Sequence, residues 1–191
     1  MWRTTGLSAL LALSLVAPGA ALAADNPACT AALDLILSHA GKGRRATSLV
    51  VAGAPDSQET KDYTPETMFQ ATWAGEKPSA DLIGAFVGLP AASVLDSCPG
   101  LSDTLAKDRI QSGDDAVARI TANNGDIVDL PTYPASILSL SLPVISGDGR
   151  DAMVEESICE GVNMCAGSIR HLQRDKAGRW KDVGDLPTSS S

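Results

Sequence analysis

Four cysteines, placed behind what reads as an export leader, constrain this 191-residue chain more than any other feature of its sequence. In the leader, Arg3 supplies a positive start, and Leu7 to Ala17 is an unbroken run of apolar and small residues. Pro18-Gly19 breaks that run, and Ala21-Leu22-Ala23 places small residues at the two positions a signal peptidase reads. The apolar run is about 11 residues, against roughly 20 for a bilayer span. Residues 1–23 are therefore expected to be a signal peptide cleaved after Ala23, and no later stretch is apolar enough to span a membrane. The expected location is the periplasm or the medium, where thiols oxidise.

Cys29, Cys98, Cys159 and Cys165 all lie beyond the cleavage site, and four cysteines allow three pairings. Cys159 and Cys165 flank Glu-Gly-Val-Asn-Met, a segment with turn residues joining two strand-like runs, so they are expected to bond across a hairpin. Cys29 is then left for Cys98. Loop-closure entropy assigns about 2.4 kcal/mol to the short bridge and about 4.4 to the long one. Two reactive readings compete. Cys159, Cys165 and His171 are evenly spaced like zinc ligands, but zinc motifs carry closer cysteine pairs and a fourth ligand is lacking. A redox pair of the thioredoxin kind has two intervening residues beside a helix start, not five in a loop. Structural disulfides are the expectation, with no metal and no cofactor.

The core has to be built from Leu, Ile, Val and Ala, because aromatic residues make up only 4% of the chain. A formal charge of -8 argues against a nucleic-acid partner, which requires clustered Lys and Arg. The acidity sits in residues 54–129, with 13 acidic and 5 basic groups, and reads as solvated surface.

Asn26-Pro27 is a helix start, with Cys29, Leu33, Ile36, Leu37 and Ala40 as the expected buried stripe and His39 off it. Thr47 to Gly53 reads as a strand and Ala54 to Lys61 as loop. Thr64-Pro65 and Pro78-Ser79 open two further helices, which place Phe69, Trp73 and Phe86 in the core. Ser102 to Gln111 reads as a helix, while Ala116 to Thr121 fits either a strand or a helix. From Ile137 to Ile145 apolar residues alternate with Ser139, Ser141 and Pro143, the period of a half-buried strand. Gly147-Asp148-Gly149 turns the chain into Arg150 to Cys159. Ala166 to Arg174 and Arg179 to Val183 complete the pattern. The expected fold is α+β: N-terminal helices packed on a C-terminal four-stranded antiparallel β-meander, one domain over 24–187, with 188–191 as a flexible tail.

No phosphate loop, nucleophile elbow or paired-histidine motif is present. Asp148 and Asp151 flank Gly-Arg in a calcium-like arrangement, but a hairpin turn accounts for them. Glu155 and Glu156 fall on opposite strand faces and so cannot form a close acid–base pair. Glu156 shares the face of Ala152 and Val154, either as a strand-end residue or as a polar group needing a partner, and Arg170 is one candidate for that partner if it lies on the face of Leu172. The basic residues of the last hairpin, Arg170 to Lys181, interleave with Asp175, Asp182 and Asp185 and read as a solvated edge.

Tyr133-Pro134-Ala135-Ser136, Leu140 to Ser146, Asp148-Gly149, Ala152 to Val154, Cys165-Ala166-Gly167 and Gly178-Arg179-Trp180 together resemble a pattern of small, secreted, uncharacterised bacterial proteins. The resemblance covers about a quarter of the chain and implies the meander and the exported location. It implies no catalytic residue. The expected function is that of a non-enzymatic exported domain binding a protein or small ligand of the cell envelope. The alternative is an envelope hydrolase with a site built from acidic residues of the middle segment. A cone of the cystatin or NTF2 type, its long helix in the curve of the sheet, is a further possibility for the architecture.

Overall fold

The computed structural model describes residues 26–40, 49–53, 63–90, 92–124, 135–160 and 164–190. The leader and its cleavage site, the Ala54–Lys61 loop and the centre of the Cys159–Cys165 loop lie outside the described residues.

Helix α1 (Pro27–Ala40) begins where Asn26 Oδ1 accepts from the Ala28 amide at 3.0 Å, with proline at the first helical position. Its buried face is Ala28, Cys29, Ala31, Ala32, Leu35, Ile36 and His39. Leu33 and Leu37 are only partly buried. The stripe expected from residue size is therefore rotated: the alanines let the helix approach the sheet closely, and His39 is carried inward. Strand β1 (Leu49–Val51) follows. Helix α2 (Pro65–Gln70) is opened by a reciprocal cap, in which Thr64 Oγ1 accepts from the Thr67 amide and Thr67 Oγ1 from the Thr64 amide. Strand β2 (Ala74–Gly75) leads to α3 (Ala80–Val87), capped by Ser79. Then come α4 (Val94–Ser97), α5 (Leu101–Lys107), β3 (Gln111–Ser112) and α6 (Asp114–Asn124). The ambiguous stretch from Ala116 is thus helix. Five strands close the chain: β4 (Ser136–Leu140), β5 (Val144–Ile145), β6 (Asp151–Glu160), β7 (Cys165–Arg174) and β8 (Trp180–Ser190).

These strands form one mixed sheet of eight strands, in the order β2-β8-β7-β6-β4-β1-β3, with β5 also on β6. The expected four-stranded meander is corrected in two respects. Parallel pairing of β1 with β3 and β4 extends the sheet beyond β4. The run from Ile137 to Ile145 is also two strands, broken at Ser141 to Pro143, where the missing proline N–H cannot continue a ladder. Ser189 and Ser190, within the stretch expected as a tail, pair with Gly167 and Ala166 at the start of β7.

Helices cover both faces, in place of the single packed face expected. Leu49, Val51, Leu138, Leu140, Ala152, Val154 and Leu172 point to the side of α1, α4 and α5 and form the larger core with Ile36, Leu101 and Leu105. Met153, Ile169 and Leu186 point the other way, against α2 and α3 through Met68, Trp73, Leu82, Ile83 and Phe86. Val50 shares that second side with Ala116 of α6. Phe69, expected in the core, is 43% exposed, with the Lys77 ammonium 4.4 Å from its ring centroid. The molecule is a three-layered α+β domain whose two disulfides join Cys29 to Cys98 and Cys159 to Cys165. The first ties α1 to the end of α4 inside the core; the second bridges β6 and β7 in register.

Candidate functional site

Alternation along β6 sends Ala152, Val154, Glu156 and Ile158 to the α1 side, and the β6–β7 register places Ser168 opposite Glu156 and Arg170 opposite Val154. Three donors therefore converge on a carboxylate that is 1% exposed. His39 Nε2, from the last turn of α1, lies 2.8 Å from Glu156 Oε2. Ser168 Oγ donates to Oε1 at 3.2 Å, and Arg170 Nε donates to the same oxygen at 2.6 Å. The Arg170 guanidinium also pairs with Glu156 through its second terminal nitrogen. Its other terminal nitrogen faces β8, 3.3 Å from Asp182 Oδ2 and 3.9 Å from Asp185 Oδ2.

The ionisation of the pair follows from this geometry. Burial pushes the Glu156 carboxyl up, but the hydrogen bond and charge of His39, with those of Arg170, outweigh it and leave Glu156 below its ordinary value. Burial likewise pushes Arg170 down, and the charges of Glu156, Asp182 and Asp185 outweigh it, raising Arg170. Both groups are held charged.

The ion pair forms part of the wall of an open cleft of about 470 Å³ on the α1 side of the sheet. Glu156 and Ile158 of β6, Ala166 to Ser168 and Arg170 of β7, and Asp185, Pro187 and Thr188 of β8 line it. Its surface joins apolar walls to a hydroxyl, a guanidinium and two carboxylates, the usual composition of a small polar-ligand site. Because Glu156 already accepts from three side chains, it offers a fixed charge and not a mobile proton.

The remaining candidates are placed elsewhere. The zinc-like set is dispersed: Cys159 and Cys165 are bonded to each other, and His171 contacts Glu76 and Asp151. Asp148 holds its own turn, accepting from Ser146 Oγ at 2.7 Å and from the Arg150 amide at 3.1 Å, and these bonds lower its pKa. Among the described residues no group of three or more His, Cys, Asp or Glu side chains is arranged to hold a metal. Asp175 accepts from the Arg179 and Ala177 amides and pairs with Lys181; the Arg179 bond leads in pulling it down to about 2. It is a turn residue remote from the cleft.

The sequence offers Arg170 as one candidate partner of Glu156 and places Asp185 among the acidic residues interleaved with the last hairpin's basic cluster, but it brings neither His39 nor Ser168 to the carboxylate. His39 was legible from its spacing, four residues after Leu35 and seven after Ala32. Ser168 followed from register alone. Asp185 falls two residues past the expected strand end at Val183, whereas β8 continues to Ser190.

No helix among the described residues is long and apolar enough to cross a membrane. No protein family, no curated protein and no solved structure matches this chain.

Proposed function

We propose that this protein is an exported, disulfide-braced binding domain, without catalytic activity, that takes a small polar ligand or a partner's side chain in the Glu156–Arg170 cleft. One observation carries the reading. Glu156, the buried carboxylate in the cleft wall, is saturated by His39, Ser168 and Arg170 and lies below the ordinary carboxylate value. Acid–base catalysis at neutral pH calls for the opposite, a carboxyl raised toward the working pH. A locked ion pair instead gives a rigid, preorganised surface on which a ligand is oriented.

The hydrolase alternative draws on acidic residues of the middle segment. Glu66, Glu76, Asp81, Asp96, Asp103, Asp108, Asp114 and Asp115 are all exposed. Export rests on the leader and fits two disulfides, which persist where thiols oxidise.

The test is native mass spectrometry on protein purified gently from its own envelope fraction, beside Asp185→Ala and Ser168→Ala. Wild type is expected to retain a ligand that both variants lose while keeping the wild-type melting temperature to within a few degrees. Equal retention by all three proteins would remove the cleft from the reading. Turnover of an envelope ester or peptide, abolished by a middle-segment Asp→Asn variant, would replace it with the hydrolase.

A further inference from the structure

On the sheet face opposite the cleft, His171 of β7 lies buried between β6 and β8, with Met153 and Gly184 as its strand neighbours. Its Nδ1 is 3.0 Å from the Glu76 carbonyl oxygen, and its Nε2 is 3.0 Å from Asp151 Oδ1. Both neighbours are acceptors. A neutral imidazole carries one N–H and can satisfy only one of them, whereas the imidazolium donates to both.

The two ends of this bridge belong to different layers. Asp151 starts β6, where Gln173 Nε2 also donates to it at 3.3 Å. Glu76 follows β2 on the way to α3, and its amide donates to the Val183 carbonyl at 2.9 Å. A Cβ at Gly184 would run into the Glu76 backbone, so the connection lies directly on β8. Asp151 also walls a cavity of about 400 Å³ between the start of α3 and the β5–β6 turn.

Among the described residues, charged groups reach this side from several elements, including Lys181 of β8, which lies opposite Gln173 and pairs with Asp175. From β6 come Asp151 and, one pleat further along, the buried Glu155. The turn and α3 present Asp148 and Asp81 to the cavity wall. The β2–α3 connection offers exposed Glu76 and Lys77, and the Lys77 ammonium donates to the Phe69 carbonyl at 2.6 Å. From β8 the residue opposite is glycine.

We infer that His171 is a proton-operated clamp: its doubly protonated ring ties the β2–α3 connection to β6, and loss of one proton releases one tie. The charged Asp151 carboxylate keeps the remaining N–H, so the tie lost is the one to the Glu76 carbonyl, and residues 75–79 loosen. Sign follows directly: the tie is complete where the ring is charged and is lost as pH rises through its titration.

The chain has two histidines, so ring-nitrogen NMR resolves each of them. In a pH series both His171 nitrogens are expected to read as protonated at the acid end and one of them as unprotonated at the alkaline end. Over the same range the hydrogen-exchange protection factor of the Glu76 amide, which excludes the intrinsic pH effect, should fall by about fivefold or more, while that of the Met153 amide holds. In His171→Gln the Glu76 protection should not change with pH. A single neutral tautomer throughout, or a titration that leaves Glu76 protection unchanged, overturns the clamp, and the wild-type measurement decides even where the variant fails to fold.

Discussion

At the scale of single residues, the sharpest consequence of the site is that Glu156 and Arg170 are worth more as a pair than either is alone. Arg170→Ala leaves a carboxylate that is 1% exposed with His39 and Ser168 as its remaining partners, and uncompensated buried charges of this kind cost about 3–5 kcal/mol. Replacing both at once, Glu156→Leu with Arg170→Met, removes the charges together and should cost much less, because desolvation consumes most of what an internal ion pair gains. Urea unfolding of the three proteins at neutral pH measures the difference. The same carboxylate sets a direction for acid sensitivity. Its folded value lies below the ordinary 4.5, so its contribution is complete above that value and is lost as pH falls through the folded one. The wild type should therefore lose stability below about pH 4.5, and the double variant should lose less over the same window. Asp175, pulled down to about 2, titrates in the same sense but sits on the exposed last turn, where solvent screens its charges.

At the scale of elements, the sheet edge at β2 depends on glycine. Gly184 offers the Glu76 backbone a place where a side chain would stand, and Gly75 holds φ at +91° against Val183. Gly184→Ala should cost about 1–3 kcal/mol and detach β2 from β8, an effect visible as lost amide protection at Glu76 while β6 stays protected. What could be read beforehand divides along the same line. Caps and turns were legible because their chemistry is local: Asn26, Thr64 and Ser79 each satisfy backbone groups within three residues. The alternation in β6 and β7 was legible as well, and it made Arg170 one candidate partner for Glu156. β1 was legible within Thr47 to Gly53, but its parallel pairing and β3 were not, because a parallel pair of two residues carries no periodic signal and depends on partners distant in the chain. The face of α1 was misread because large side chains were weighted over alanines, and that error hid His39.

At the scale of the whole molecule, the disulfides explain how a chain with so few aromatics keeps three layers together. Two helical layers enclose the sheet, and Cys29–Cys98, spanning 69 residues, binds the α1 layer to itself before the strands that follow it in sequence. Chain entropy assigns that bridge about 4.4 kcal/mol and the Cys159–Cys165 bridge about 2.4. The cleft lies across β6, β7 and β8, and the shorter bridge pins the first two of these strands at one end. The proposed binding surface rests on that bridge, and such bridges persist where thiols oxidise, as the proposed export would provide. Fold, site and destination thus make one claim, and one measurement addresses it most directly: intact-mass and peptide mapping, without reduction, of protein recovered from the envelope fraction of its native cell. The account predicts a chain starting at Ala24, four hydrogens lighter than its reduced form, with cross-linked peptides joining Cys29 to Cys98 and Cys159 to Cys165. Free thiols at all four positions, or protein retaining Met1 to Ala23 inside the cell, would contradict it.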